Sequence, residues 1–310
     1  MKLSLVVPCY NEELVISETN KRLLKIIAKL LDSAQIADFE IIYIDDGSSD
    51  GTLNILKEIA SSNKKVKIIS FSRNFGHQSA LTAGIWFSSG DAVISLDADL
   101  QDPPEIIEEM IEKFNQGYDV VYAVRRSRKE DTFFKRNSAK LFYKIMQMMG
   151  VDIIYNHADF RLLSKEVVKE FRKMKEYHRF IRGMIPYLGF KSTCVFYDRK
   201  KRIAGETKYP LMKMFSLAWN GITSFTYFPL RLALFWSIIV FLISILLVFF
   251  LLVTKIRGDS VSKWLYVVIF FCVLNGVQSL FLGFLGEYVG KIYIEIKKRP
   301  IFVVKEKINF

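Results

Sequence analysis

Cysteine and histidine are scarce in this chain. Its three cysteines, Cys9, Cys194 and Cys272, stand far apart. Neither a disulfide framework nor a zinc-ligand spacing can be built from them, so a reducing compartment is the expectation. Of the three histidines, His77 and His178 are isolated in sequence and read as structural or surface residues rather than metal ligands. Met1 to Pro8 reads as a strand and is too short for a signal-peptide core, so the first domain is expected to stay in the cytoplasm. A Gly-x-Gly-x-x-Gly element is also missing, and with it the dinucleotide-binding fingerprint.

What is present is unusual in balance. Of 310 residues, 51% are hydrophobic and 25% charged, with a mean hydropathy of +0.20. That is too apolar for an ordinary soluble protein and too charged for a wholly embedded one, which points to a soluble domain joined to a short membrane region. The formal net charge of +12 implies an anionic partner: nucleic acid, phospholipid headgroups or a phosphorylated substrate.

Up to Lys208, short β-rich runs alternate with helical stretches. Leu3 to Val7, Glu40 to Ile44, Lys67 to Phe71, Ala92 to Leu96 and Val120 to Val124 are nearly continuous in apolar character, as strands covered on both faces should be. Helices are predicted over Glu12 to Leu31, Thr52 to Ser61 and Pro104 to Gln116, the last opening on Pro and stopping at Gly117. This alternation predicts an α/β fold with a doubly wound, mostly parallel sheet. Ligands of such sheets bind beyond the carboxyl ends of the strands.

Leu232 to Val253 and Leu265 to Gly286 contain no Asp, Glu, Lys or Arg. Each exceeds the roughly 20 residues a helix needs to cross a bilayer core, and neither has the polar face of a buried helix. The expected organisation is a cytoplasmic catalytic domain over 1–208, an amphipathic interface segment over 209–229, a two-helix transmembrane hairpin within 230–290, and a basic tail over 291–310. Lys291, Lys297, Lys298, Arg299, Lys305 and Lys307 beyond the second run put both termini on the cytoplasmic side of the inner membrane by the positive-inside rule.

Polar residues collect where the predicted strands end. Asp97 and Asp99 are two apart, so in extended chain both carboxylates project to one side. Two close carboxylates repel unless a cation or proton lies between them, and a divalent metal bridging to a diphosphate meets that need. The alternative is a solvated loop leading into the helix at Asp102-Pro103-Pro104. Asp45-Asp46 ends another strand before Gly47-Ser48-Ser49-Asp50-Gly51. It reads both as a turn with a helix cap and as a contact to a base or ribose. Tyr10 and Glu12, after the first strand, suit stacking on a base and accepting hydrogen bonds, or simply begin a helix.

Four segments occur in order: Val6-Val7-Pro8-Cys9-Tyr10-Asn11-Glu12-Glu13, Asp45-Asp46-Gly47-Ser48-Ser49-Asp50-Gly51-Thr52, Ser72-Arg73-Asn74-Phe75-Gly76-His77, and Asp97-Ala98-Asp99-Leu100-Gln101-Asp102-Pro103-Pro104-Glu105. Together they resemble the family 2 inverting glycosyltransferases of GT-A fold. More narrowly they resemble the polyprenyl-phosphate glycosyltransferases, the group of bactoprenol glucosyltransferases and dolichol-phosphate mannose synthase. The resemblance runs through the carboxyl-terminal hairpin.

It implies a metal-dependent enzyme using Mg²⁺ or Mn²⁺. Such an enzyme moves a sugar with inversion from a nucleotide sugar, UDP-glucose or another UDP-sugar, to undecaprenyl or another polyprenyl phosphate. Pro8, Tyr10, Glu12, Asp45, Asp46, Asp97, Ala98, Gln101, Arg202 and Lys208 would then bind the nucleotide sugar, and Asp97 and Asp99 the metal. His157-Ala158-Asp159-Phe160-Arg161 resembles the acceptor-side motif, with Asp159 beside the reacting centre as a base or an orienting group. Arg202 to Tyr209 resembles the family's Arg-x-x-Gly-x-Ser-Lys-Tyr segment, with Thr207 where Ser is usual. Arg125 and Arg136 are candidates for gripping the acceptor phosphate. The basic and aromatic stretches 125–149 and 212–228 suit a bilayer headgroup region rather than nucleic acid, and a homo-oligomer is expected. Two competing readings are a processive polysaccharide synthase, whose Gln-x-x-Arg-Trp motif is missing here, and a catalytically silent membrane assembly subunit.

Overall fold

The computed structural model describes residues 1–126, 154, 157–198, 236, 239, 246, 249, 253 and 263–310. Chain contacts divide the protein into two units, Met1–Ala218 with Pro300–Phe310, and Trp219–Arg299.

Among the described residues the first unit is built on one eight-stranded sheet of order β7-β5-β6-β4-β1-β2-β3-β8. The strands are β1 (Lys2–Cys9), β2 (Asp38–Asp45), β3 (Val66–Phe71), β4 (Ala92–Ser95), β5 (Val120–Arg125), β6 (His157–Ser164), β7 (Ser192–Tyr197) and β8 (Val304–Ile308). All five predicted strands are present. Three more escape the apolar-run criterion. β6 carries polar residues at alternate positions, and β7 is half exposed. β8, Val-Lys-Glu-Lys-Ile, alternates in burial as an edge strand must.

The sheet is mostly parallel, as expected, but β6 runs antiparallel to β4 and β5, and β8 antiparallel to β3. Part of the stretch read as a basic tail is therefore strand, joined to a domain that starts some 300 residues earlier.

Helices close both faces. α1 (Ile16–Asp32) turns Ile16, Leu23, Ile26, Ile27 and Leu30 inward at three- and four-residue spacing. α2 (Thr52–Ser62) and α4 (Ile107–Asn115) complete that layer, against Leu3, Leu5, Ile41, Tyr43 and Ile94. Predicted helix ends agree to within a few residues, and Pro104–Ile106 is a 3₁₀ turn leading into α4. α3 (His77–Phe87), α5 (Lys165–Lys173) and α6 (Ile181–Tyr187) cover the opposite face. α3 lies so close to the sheet that a Cβ on Gly84 would fall 2.2 Å from Val6 Cγ1 and 2.7 Å from Ile44 Cδ1. Only glycine permits that approach.

In the second unit, α7 (Lys263–Ile296) spans 34 residues and contains the second uncharged run. The first run lies mostly outside the described residues, as does the segment 209–229. Among the described residues no helix is long and apolar enough to cross a membrane.

Candidate active site

The parallel strands β1, β2, β3 and β4 deliver four loops to one edge of the sheet. β6 then adds its beginning. Because it is antiparallel to β4, with Ser95 opposite Arg161, residues 157–160 lie beside the chain that leaves β4 for Asp97. Ser95 Oγ locks this register by donating to Asp159 O (2.6 Å).

The first two loops are knitted together. Asn11 sits in the left-handed region at φ 53°. Its N–H donates to Ser48 Oγ (3.0 Å), and its side-chain oxygen accepts from Ser49 N (2.8 Å). Glu12 N donates to Thr52 Oγ1 (2.8 Å), and Gly51 N to Glu13 Oε2 (2.7 Å). Asp45 is buried and accepts from Ser48 N and Ser70 Oγ. Asp46 accepts from Phe75 N (2.7 Å) and Gly76 N (2.9 Å), which ties the second loop to the third. Burial lifts the Asp46 carboxyl to about 6, against the two amide bonds. Gly47, at φ +68°, lies where a Cβ would meet Arg73 C at 2.5 Å and Asn74 N at 2.7 Å. Tyr10 stands 38% exposed above these turns. The turn reading of the acidic pair is borne out by these bonds; its contact to a base or ribose is part of the proposed function.

The fourth loop carries Asp97 and Asp99, both half-buried. Thr19 Oγ1 in α1 holds its backbone by donating to Ala98 O (2.7 Å). Asp99 Oδ1 accepts from Gln101 N (3.1 Å). Leu100 between them adopts φ 54° while fully buried, strain of the kind that collects at functional loops. Burial raises the Asp97 carboxyl to about 6, reinforced by Asp99, Asp102 and Asp159 and opposed by His77. So dense a set of acidic oxygens suits a hard divalent cation. Among the described residues no group of three or more His, Cys, Asp and Glu side chains is arranged to hold a metal ion. Asp97 and Asp99 are the residues that would hold such an ion.

Asp159 is the hub of the fifth segment. Its Oδ1 accepts from Arg161 Nη2 (2.5 Å) and Arg182 Nε (3.1 Å). Its Oδ2 accepts from Arg182 Nη2 (3.1 Å) and lies 3.2 Å from His77 Nε2. Burial would raise its pKa, but the Arg182 charge, the His77 contact and the Arg161 charge hold it well below the usual carboxylate range. His77 Nε2 is also 3.6 Å from Asp97 Oδ1. Burial pushes His77 down, yet the bond to Asp159 and the charge of Asp97 outweigh it and lift the imidazole above its ordinary value. One imidazole thus spans Asp97 and Asp159.

His77, read from sequence as structural or surface, is therefore part of the cleft. Its signal was its position at the end of the Ser72–His77 segment, one more polar strand end. Arg182 went unnoticed, since nothing local distinguishes it from its basic neighbours. Arg125 is drawn into the fold: its Nη2 lies 3.3 Å from both Asp102 oxygens, and its Nε donates to Tyr197 Oη (3.2 Å). Arg136, Arg202 and Lys208 lie outside the described residues.

Residues 4–172 match the family described as Glycosyl transferase family 2. The chain is 44% identical over 308 residues to the uncharacterized glycosyltransferase YkcC of Bacillus subtilis, spanning 99% of this chain and 94% of that one. It is 40% identical over 309 residues to the bactoprenol glucosyl transferase of Shigella phage SfV, 99% of each chain. A solved structure similar to it is glucosyl-3-phosphoglycerate synthase from Mycobacterium tuberculosis in complex with Mn²⁺, uridine diphosphate and phosphoglyceric acid. That likeness has 19% identity and a TM-score of 0.47 over 70% of this chain and 75% of that one. With a family match over more than half its length and full-length relatives at this identity, the chain belongs to glycosyl transferase family 2 and is a glycosyltransferase.

Proposed function

We propose that this glycosyltransferase moves a sugar, with inversion, from a nucleotide sugar to a polyprenyl phosphate. UDP-glucose or another UDP-sugar is the proposed donor and undecaprenyl phosphate the proposed acceptor. The observation that carries this reading is the state of Asp159. Both of its oxygens are taken up by Arg161, Arg182 and His77, and its proton affinity is depressed. A carboxylate so engaged is poorly suited to removing a proton from a sugar hydroxyl. A phosphate monoester needs no such base, because its oxygen is already anionic at neutral pH. Relatives named bactoprenol glucosyl transferase, 39–40% identical over nearly the whole chain, support the same acceptor class.

In the proposed reaction a phosphate oxygen of the lipid attacks the anomeric carbon from the face opposite the leaving group. The carbon–oxygen bond to the nucleoside diphosphate breaks, and the bonding pair leaves on the diphosphate. Asp97 and Asp99 would hold Mg²⁺ or Mn²⁺, which would supply positive charge beside that diphosphate. Pro8, Tyr10, Glu12, the Asp45-Asp46 turn, Ala98 and Gln101 would bind the nucleotide sugar. Asp159 holds Arg182 and His77 at the reacting centre.

The proposed site of action is the cytoplasmic face of the inner membrane, with the uncharged runs as a hairpin and with assembly as a homo-oligomer. β8 sits in a position compatible with the hairpin. It follows α7 in sequence yet pairs with β3, so the segments flanking residues 219–299 belong to one folded unit. A two-helix hairpin would return the chain to the same side, as this connection needs.

The test is transfer of radiolabelled sugar from a panel of nucleotide sugars to undecaprenyl phosphate, by purified protein in detergent, with and without Mg²⁺ or Mn²⁺. A metal-dependent lipid-linked product from one donor is expected. Transfer to a hydroxyl acceptor with none to the lipid phosphate would overturn the reading.

A further inference from the structure

The segment after α7 does more than close the edge of the sheet. Phe302 stacks on Phe71 with ring centroids 5.0 Å apart and planes 9° from parallel, and packs against Trp86 at 5.7 Å. Phe71 is the last residue of β3 and Trp86 lies near the end of α3, so one ring touches both elements that flank the loop 72–76. Ser72, the first residue of that loop, donates its N–H to Val303 O (3.0 Å).

The contacts run onward to the cleft. Phe71 meets Phe75 edge-on at 5.7 Å, and the Arg73 guanidinium covers the other side of Phe75 at 4.3 Å. Phe75 and Gly76 give their N–H groups to the two oxygens of Asp46, and the next residue is His77, in contact with Asp159. An aromatic chain thus leads from the segment after α7 to the turn that edges the proposed nucleotide pocket. Each link is a packed ring or a hydrogen bond, the kind of contact through which position is transmitted in a dense interior.

We propose that Phe302 is a positioning residue for the donor pocket: by wedging Phe71 and Trp86 it sets the loop 72–77 and, through it, Asp46 and His77. The rest of β8 holds the segment in place. Glu306 pairs with Lys57 (2.6 Å), and Asn309 Nδ2 donates to Ala60 O and Val66 O. These bonds touch no residue of the loop. The proposal rests on the reading of the Asp45-Asp46 turn as part of the nucleotide pocket.

The test is hydrogen exchange on the full chain in detergent, following the peptide that carries the Phe75 and Gly76 amides, together with KM for UDP-glucose and for undecaprenyl phosphate. Phe302→Ala should speed exchange at these amides by about tenfold, a local opening rather than unfolding. It should also raise the donor KM severalfold while leaving the acceptor KM unchanged. Phe302→Tyr keeps the ring and should restore both, and Glu306→Ala should move neither. Unchanged exchange in Phe302→Ala, or equal acceleration in Glu306→Ala, would overturn the proposal. Asp46→Asn separates the two levels. If it leaves the donor KM unmoved, the pocket reading falls and the positioning role with it. If it raises the donor KM and Phe302→Ala does not, only the positioning role falls.

Discussion

Arg182 and Asp159 face one another as two parallel hydrogen bonds, Nε to Oδ1 and Nη2 to Oδ2, each 3.1 Å long. They sit on elements distant in sequence, α6 and β6. A guanidinium fits a carboxylate in this way and an ammonium does not. Arg182→Lys should therefore keep the local charge and lose the geometry. The expected result is a fall in kcat of about 10- to 100-fold, read as lost orientation at the reacting centre, with little change in the donor KM. Steady-state transfer assays at saturating donor would measure it. A variant with wild-type kcat would show that the paired geometry is dispensable.

Asp159 also has a folding role that can be separated from its proposed part in the reaction. Arg161 is fully buried, and among the described residues Nε and Nη1 have no hydrogen-bond partner, so Asp159, bonded to Nη2, is its principal counter-charge there. Asp159→Asn strands that guanidinium, and breaking a buried pair on one side costs about 3–5 kcal/mol. Thermal melts should show a lower Tm as well as lost transfer. The double variant Asp159→Asn with Arg161→Met should regain part of the Tm without regaining activity. A single variant with unchanged Tm would mean that Arg161 finds its balance elsewhere.

The fold was legible where one physical rule dominated. Buried parallel strands must be apolar throughout, so β1 to β5 stood out; α1 followed from its amphipathic period, and α2 and α4 from their punctuation at Gly51, Pro104 and Gly117. β6 broke the rule because its residues alternate between core, at Ala158, Phe160 and Leu162, and site, at His157, Asp159 and Arg161. Polar character there does not report exposure, since His157, Asp159 and Arg161 are all buried. The site was legible at the strand ends, where Asp97, Asp99 and the Asp45-Asp46 turn lie. Arg182 and the distance between His77 and Asp159 depend on the antiparallel entry of β6, which no local pattern reveals. Phe302 and Phe71 are separated by most of the chain, so their contact too is visible only in the folded protein.

Asp99 tests the cation. Its Oδ1 accepts from Gln101 N beside the strained Leu100, and an asparagine can keep that bond through its oxygen. Asp99→Asn should thus leave the Tm within about 0.5 kcal/mol equivalent of wild type. With half of the acidic pair neutralised, transfer should fall by at least about 100-fold. Raising Mn²⁺ should recover some of the loss if the defect is weakened metal affinity. Full activity at ordinary metal concentration would remove Asp99 from the metal site.

Glu40 gives the acid limit of the fold. Its carboxylate is 1% exposed in the middle of the sheet. Oε1 accepts from Ser4 Oγ (2.6 Å), Ser89 N (2.7 Å) and Ser89 Oγ (3.0 Å). Oε2 pairs with Lys67 Nζ at 2.8 Å and Lys2 Nζ at 3.6 Å. Burial acts to raise its pKa, but the bonds from Lys67, Ser4 and Ser89 more than reverse this and bring it from 4.5 to about 2. A carboxylate depressed in the folded state contributes its stability in full above its unfolded value and loses it as pH falls through the folded one. The window is therefore pH 4.5 down to 2, and the contribution is about 3 kcal/mol. Glu40→Gln cannot titrate, so its Tm should begin lower at neutral pH and fall less steeply across that window than that of the wild type. All other carboxylates are common to the two proteins, so the difference between their melting curves isolates this one group. Parallel Tm-against-pH curves would mean that Glu40 binds its proton equally well folded and unfolded, and that its lysine and serine contacts only offset the cost of burying it.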